Sequence, residues 1–446
     1  MKTFSAPETQ PSRSYRRYLF ALLFLLYLFD YMDRMVIVSL FPYLKTDWGI
    51  TDTQCGLLVS AVYWSILVFS FPVSILVDRW SRKKSIGLMA VLWSLATLAC
   101  AFTRNFTHLF AARTAIGIGE AGYAPGGTAM ISTVFPKEQR ARVLGLWNAS
   151  IPLGSALGIA LGGFVAEHFG WRYALGLVAL PGMIIALLFF TVKDYKTIAL
   201  TKTVDQGEGK VRIKMGLADM VRQFTHNPTL LFTNLGFAAN VFVTTALLTW
   251  LPTYFFRFEG LTMSRAGMKG GSVMLLAIIG APLGGYLADL WMKRRQNARM
   301  LFPAVSSAGT AVLLFIAFAF FRGPVQYIFL LAAGVFSVAF VPAAVAVTQD
   351  VVHPGLRAIS LSVNVVIQHL LGSSLGPLFI GALSDGYGLE KAMVWLPLFA
   401  LLGSLLFLIG SRFYAGDLAA VEQTSPEPVT LEQASLEPSV SILPKG

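Results

Sequence analysis

Five ionisable residues stand inside apolar stretches of this chain. "FDYMDRMV" carries Asp30, Asp33 and Arg34, and "RTAIGIGEAGYAP" carries Arg113 and Glu120. Seven helical residues turn through roughly 700° and rise about 10 Å, so Arg113 and Glu120 share one helix face. In hydrocarbon each such charge is costly and marks a functional candidate that needs a partner. A carboxylate in a cavity of low polarity can take up and release a proton as its partner moves. Arginine keeps its charge and acts as a fixed anion-binding group. A proton carrier and an anion clamp are what these residues offer.

The surroundings of those residues follow from composition. Of 446 residues, 55% are hydrophobic and only 13% charged, and mean hydropathy is +0.65, whereas soluble chains carry about a quarter charged residues. Crossing a bilayer takes about 20 apolar residues. Twelve such runs are read near 18–40, 55–77, 84–103, 106–130, 142–165, 171–192, 229–254, 267–290, 298–321, 325–348, 358–383 and 391–413. The first run leads into "YMDR" rather than a small-residue cleavage site, so it is expected to remain as helix 1. Most of the 35 Lys and Arg fall in segments on the side of the amino terminus. The positive-inside rule then puts both termini in the cytoplasm, and the chain in the inner membrane if its source is bacterial. The net charge of +12 is read as topology and attraction to lipid headgroups, not as a nucleic-acid surface. Cys55 and Cys100 are read as free thiols, with a disulfide left open, and make no metal site.

These runs imply an all-α polytopic membrane protein with twelve transmembrane helices in two six-helix bundles related by a pseudo-two-fold axis. The expected divisions are a cytoplasmic segment 1–17, a first bundle 18–192, a cytoplasmic loop 193–227, a second bundle 228–413 and a disordered cytoplasmic tail 414–446. "LGSALGIALGG" at 153–163 superposes on "LGSSLGPLFIG" at 371–381 with a spacing of 218, and "SILVDRWSRKK" at 74–84 on "GYLADLWMKRR" at 285–295 with a spacing of 211. Duplicated six-helix halves belong to transporters that rock two bundles around a central site. The glycines serve close helix packing, and Pro152 and Pro377 are expected to bend their helices.

At 1.5 Å per residue, Asp33 and Arg113 reach similar depths and are expected to pair, with Glu120 deeper. The second half supplies neutral polar groups instead: Asn234, Asn240, Asn364, Gln368 and His369. Asp30, Asp33 and Glu120 are taken as proton-coupling residues. Arg34, Arg113, Asn240, Asn364, Gln368 and His369 are taken as substrate-binding residues, with aromatics such as Phe237 and Phe242 receiving an apolar portion. In the repeated loop, Asp78, Arg79, Arg82 and Asp289 are read as a conformational latch.

The two loop strings and twelve spans resemble the major facilitator superfamily over residues 18–413, although Ser74 stands where that motif opens with glycine. Within it, "YMDR", "RTAIGIGEAGYAP", "SIPLGSALG" and "QHLLGSSLGPLFIGALSD" look most like the Spinster family, whose members move lysophospholipids and sphingolipid-type amphiphiles, often with protons. The resemblance implies transport roles for Asp33, Arg34, Arg113 and Glu120. Many members follow "HLLG" with an acidic residue, where this chain has Ser373. The anion:cation symporter family, which imports sugar acids and other small carboxylates, resembles the chain in the same Asp-Arg pair and Arg-to-Glu spacing. The expected activity is proton-coupled secondary transport, by a monomer, of an anionic lipid-like or small organic substrate in contact with membrane lipids. No enzyme is expected, and neither "HExxH" nor "GxxxxGK[ST]" occurs. The only energy source expected is the proton gradient, with no cofactor.

Overall fold

The computed structural model describes residues 12–194, 227–353 and 356–424, without the side chains of 71, 74–79, 137, 138, 141, 358 and 422–424. Among them the chain is entirely helical. Twelve helical passages follow one another: α1 (13–48), α2 (Asp52–Arg79), α3 (Arg82–Ala101), α4 (106–134), α5 (137–169) and α6 (Trp171–Phe189), then α7 (Pro228–Phe258), α8 (Met263–Met292), α9 (Ala298–Ala319), α10 (Gly323–Asp350), α11 (357–387) and α12 (Leu389–Gly410). Ten of the described helices are long and apolar enough to cross a membrane by length and composition. α1 and α4 fall outside that ten. They hold the five charges singled out above, and α4 is also interrupted.

Three of the interruptions share a cause. A proline cannot donate to the carbonyl four residues back, and its ring crowds that carbonyl. Pro125 points to Ala121, where α4 breaks between Glu120 and Tyr123; Pro152 points to Asn148, where α5 breaks. In α11, Pro377 points to Ser373, the end of a π-helical turn over Gln368–Ser373. The helices that hold Pro152 and Pro377 are therefore interrupted one turn before each proline. The break in α4 leaves Glu120 as the last residue of its upper segment.

The molecule has a basal end, where α1 begins and α6 finishes near Tyr18 and Thr191, and an apical end, where α2 and α8 begin. At the apical end the two bundles pack in strict pseudo-symmetry. A side-chain carbon on Gly56 would lie 2.5 Å from the Pro377 carbonyl oxygen, and one on Gly267 would lie 2.9 Å from that of Ile159. Spacings of 211 and 218 convert the first contact into the second. Small residues let membrane helices approach this closely. Carboxylates follow the same rule. Asp385, ending α11, accepts from the Asp52 and Thr53 backbone N–H groups, both at 2.8 Å, and from the Thr53 hydroxyl at 2.6 Å. Its counterpart Glu167, ending α5, accepts from the Ser264 N–H at 3.2 Å. Each bundle thus caps the orphan N–H groups of a helix in the other. Asp52 adds a cross-bundle ion pair, with both terminal nitrogens of Arg257 2.7 Å from its oxygens, and within its own bundle it meets Lys45 at 2.6 Å.

Toward the basal end, segments 123–134 and 137–148 of the first bundle and 277–292, 341–350 and 357–367 of the second pack closely only within their own bundles. The bundles part there. Beyond α12 the chain continues as a further helix, α13 (Tyr414–Thr424), where sequence patterning implied disorder. The Tyr414 hydroxyl donates to Asp350 Oδ2 at 3.1 Å, and Asp417 accepts from the Thr229 N–H at 3.0 Å, so α7 and α10 supply the order that composition hides. The rest of the expected tail, and all of the expected central loop but its ends, lies outside the described residues.

Candidate functional site

Midway along the first bundle, α1 and α4 bury their charges together. Asp30, Asp33, Arg34, Arg113 and Glu120 are all buried. Arg34 and Asp30 are four residues apart on α1, one helical turn, and their side chains meet at 3.0 Å. Arg34 Nε lies 2.8 Å from Glu120 Oε2. One guanidinium therefore stands between two carboxylates. Glu120 Oε1 is buried without a hydrogen-bond partner. Tyr31 presents its ring face to the Arg34 guanidinium at 4.8 Å, a favourable cation–π placement.

Arg113 does not pair with the Asp33 carboxylate, as depth alone implied. Its Nε donates to the Leu58 carbonyl, Nη1 to the Asp33 carbonyl and Nη2 to the Arg34 carbonyl, each at 3.1 Å. The reason lies in α1, which tightens to a 3-10 turn over Ile37–Leu40. The last carbonyls before that change lack full α-helical partners, and Arg113 takes two of them. It clamps α4 to α1 and α2 through backbone. The Asp33 carboxylate instead accepts from the Thr97 hydroxyl of α3, and its Oδ1 is buried without a partner.

Across the interface, α11 and α7 bring some of the second-half groups together. Asn364 donates to Asn234 Oδ1 at 2.8 Å, and Gln368 donates to Asn364 Oδ1. His369 stacks on Tyr63 of α2 with ring centroids 5.6 Å apart, and Tyr63 is 6.0 Å from the Arg34 guanidinium. Tyr63 thus links the charged wall to the amide and imidazole wall. Asn240 stands apart, donating one turn back to the Gly236 carbonyl at 2.9 Å and packing against Gly403 of α12. Phe237 packs on Phe340 at 4.9 Å, inside the second bundle, and Phe242 stacks on Phe399 at 4.0 Å. Neither aromatic joins the charged cluster. Phe242 instead lines an apolar groove of ≈ 650 Å³ between α7, α11 and α12.

The expected latch residues are less complete. Side chains of Asp78 and Arg79 lie outside those described. Asp289 is largely exposed and lies 3.9 Å from Arg299 of its own bundle. Arg82 opens α3 beside Ser81, whose hydroxyl accepts from the Lys84 N–H. Cys55 and Cys100 are buried free thiols.

Sequence reasoning missed Tyr63, Thr97 and the apical carboxylates. Nothing in the sequence distinguishes Tyr63 from other membrane aromatics. Glu167 and Asp385 did carry a signal, because they keep the spacing of 218 just beyond the glycine strings.

Two pseudo-symmetric helical bundles, closed at one end and parted at the other, with a buried ion cluster in the first, define a polytopic membrane protein built of two related halves. Residues 23–377 match the family model of the Major Facilitator Superfamily. The chain belongs to that superfamily, and is a membrane transporter. It is similar to "Protein spinster homolog 3" of Danio rerio, 28% identical over 94% of this chain and 89% of that protein. It is also similar to a hexuronate transporter of Bacillus subtilis (strain 168), 29% identical over 63% of this chain and 66% of that one. A solved bacterial homologue of the human lysosomal transporter Spinster, in an inward-facing and unoccupied conformation, shares the fold. Its TM-score is 0.79 at 23% identity, covering 91% of this chain and 99% of that one.

Proposed function

We propose that this protein is a proton-coupled secondary transporter for an anionic amphiphile of the lysophospholipid type, working by alternating access. The observation that carries the reading is Arg34 held between Asp30 and Glu120. With both carboxylates charged, the guanidinium has more negative charge around it than it can balance and has no need of a third anion. A proton on Glu120 removes one of them. The vacated side of Arg34 then takes the substrate's phosphate or carboxylate, so proton and anion load together and the cluster's charge returns to its starting value. Arg113, its N–H groups engaged by backbone carbonyls, is a structural clamp in this scheme. Similarity to spinster homologues supports the amphiphile.

Asp33, hydrogen-bonded by Thr97, is a second proton site, on α1 next to Arg34. The basal end is assigned to the cytoplasm by the positive-inside rule, as an inner-membrane protein if the source is bacterial. The conformation is then inward-open, with the apical caps as its outer gate.

A second reading, proton symport of sugar acids or similar small carboxylates, is favoured by the Asn234, Asn364 and Gln368 string, whose amides suit hydroxyl groups, and by similarity to a hexuronate transporter. Uptake into proteoliposomes under an imposed pH gradient separates the two. Competition by lysophosphatidylglycerol, with none by glucuronate, supports the amphiphile. The opposite order overturns it.

A further inference from the structure

The matching basal loops of the two bundles are closed off differently. After α2, the Ser81 hydroxyl donates to Asp194 Oδ2 at 2.5 Å and the Lys83 N–H donates to Asp194 Oδ1 at 3.5 Å. A carboxylate from beyond α6 thus lies on that loop. The spacing of 211 carries Arg82, Lys83 and Lys84 onto Lys293, Arg294 and Arg295, which are exposed at the end of α8. Among the described residues, none of these three is paired with a carboxylate.

A pocket of ≈ 430 Å³ opens beside them, lined also by Arg299, Asp350, Tyr414 and Leu418. Its one lining carboxylate is already engaged. Arg299 Nη1 donates to Asp350 Oδ2 at 2.6 Å, and the Tyr414 hydroxyl donates to the same oxygen at 3.1 Å. Three cations without a carboxylate partner among the described residues therefore face the pocket beside the Arg299–Asp350 pair, and Asp289 lies 3.9 Å from Arg299. Arginine forks and lysine ammonium groups are the usual donors to phosphate oxygens.

The surroundings choose between a free anion and a lipid. Tyr286, Leu287 and Leu290 of α8, and Leu408 and Phe413 near the end of α12, are exposed large apolar side chains. An acyl chain whose headgroup lay in the pocket would run along them, whereas inorganic phosphate would gain nothing there. We propose that the pocket between the α8–α9 loop and α13 binds the headgroup of an anionic phospholipid, held by Lys293, Arg294, Arg295 and Arg299. Basic pockets between membrane helices at headgroup level have this use. Binding here ties α8, α9 and α13 to the bilayer surface at the end where the bundles part.

The test uses full-length protein, stripped of lipid in a neutral detergent and examined by native mass spectrometry with dioleoylphosphatidylglycerol or dioleoylphosphatidylcholine. Phosphatidylglycerol should be retained preferentially. The triple variant Lys293→Gln, Arg294→Gln, Arg295→Gln should weaken that retention at least about tenfold, and Lys83→Gln with Lys84→Gln should not. Arg294→Gln alone should give a smaller, graded loss, which keeps the test valid if the triple variant fails to fold. Undiminished retention by a folded triple variant overturns the proposal. Displacement by millimolar inorganic phosphate also overturns it, in favour of a soluble-anion site. Retention that appears only after removal of residues 425–446 overturns it in favour of the chain's own acidic tail.

Discussion

Removing the carboxylate caps should open the apical gate by an amount the hydrogen bonds set. Asp385→Ala deletes an acceptor that receives two backbone N–H groups and a hydroxyl from the other bundle. Loss of a helix cap costs about 1 kcal/mol. The cap joins two bundles, so it exists only while the apical ends are together. Its whole value is therefore a difference between states, the only quantity that shifts a conformational equilibrium. About 1 kcal/mol moves the closed-to-open ratio about fivefold. Glu167→Ala removes a single, longer bond at 3.2 Å, for about 0.5 kcal/mol and roughly a twofold shift. The two caps share no partner, so the double variant should show roughly a tenfold shift.

Native Cys55 reports the result, because it is fully buried and lies one turn beyond Asp52 on α2. In a Cys100→Ser background, its labelling by an impermeant maleimide should accelerate by those factors, since rapid opening makes the rate follow the open population. Asp47→Ala is the control, because Asp47 accepts from Trp171 Nε1 within the first bundle. Unchanged labelling in Asp385→Ala, or an equal rise in Asp47→Ala, would refute the reasoning.

Other consequences follow from the same contacts. Gly56→Val places carbon where the Pro377 carbonyl stands, and should raise Cys55 labelling more than either cap variant. Arg113→Lys cannot reproduce three donors in a planar fork, and is expected to cut transport and lower the melting temperature together; a variant with wild-type transport would remove Arg113 from the account. Asn364→Leu leaves the buried Asn234 amide oxygen without its donor, costing about 1–3 kcal/mol, which a thermal-shift assay in detergent would read as a clear drop.

The fold was legible because the bilayer enforces it. Backbone groups in hydrocarbon must be satisfied within a helix, so length and hydropathy alone gave twelve passages, and the repeat at 211 and 218 gave two related bundles. Which residues carry charge inside the membrane was equally open to reading. Their partners were not. Depth placed Arg113 level with Asp33, but depth says nothing of azimuth or of the 3-10 turn that frees two α1 carbonyls, and these drew Arg113 to backbone. Asn240 and Phe242 illustrate the same gap, since a helix has several faces and a single span's sequence does not tell which one meets α12. The repeat itself held more than was drawn from it, as Glu167 and Asp385 show.

The central claim is that Arg34 exchanges one carboxylate for a substrate anion when Glu120 takes a proton. Its most direct test is substrate accumulation in proteoliposomes under an imposed pH gradient, comparing wild type with Glu120→Gln. The glutamine keeps the shape and cannot cycle a proton. Wild type should concentrate substrate against its gradient, while Glu120→Gln should bring it only to equilibrium and still support exchange. Accumulation by Glu120→Gln at the wild-type level would contradict the account.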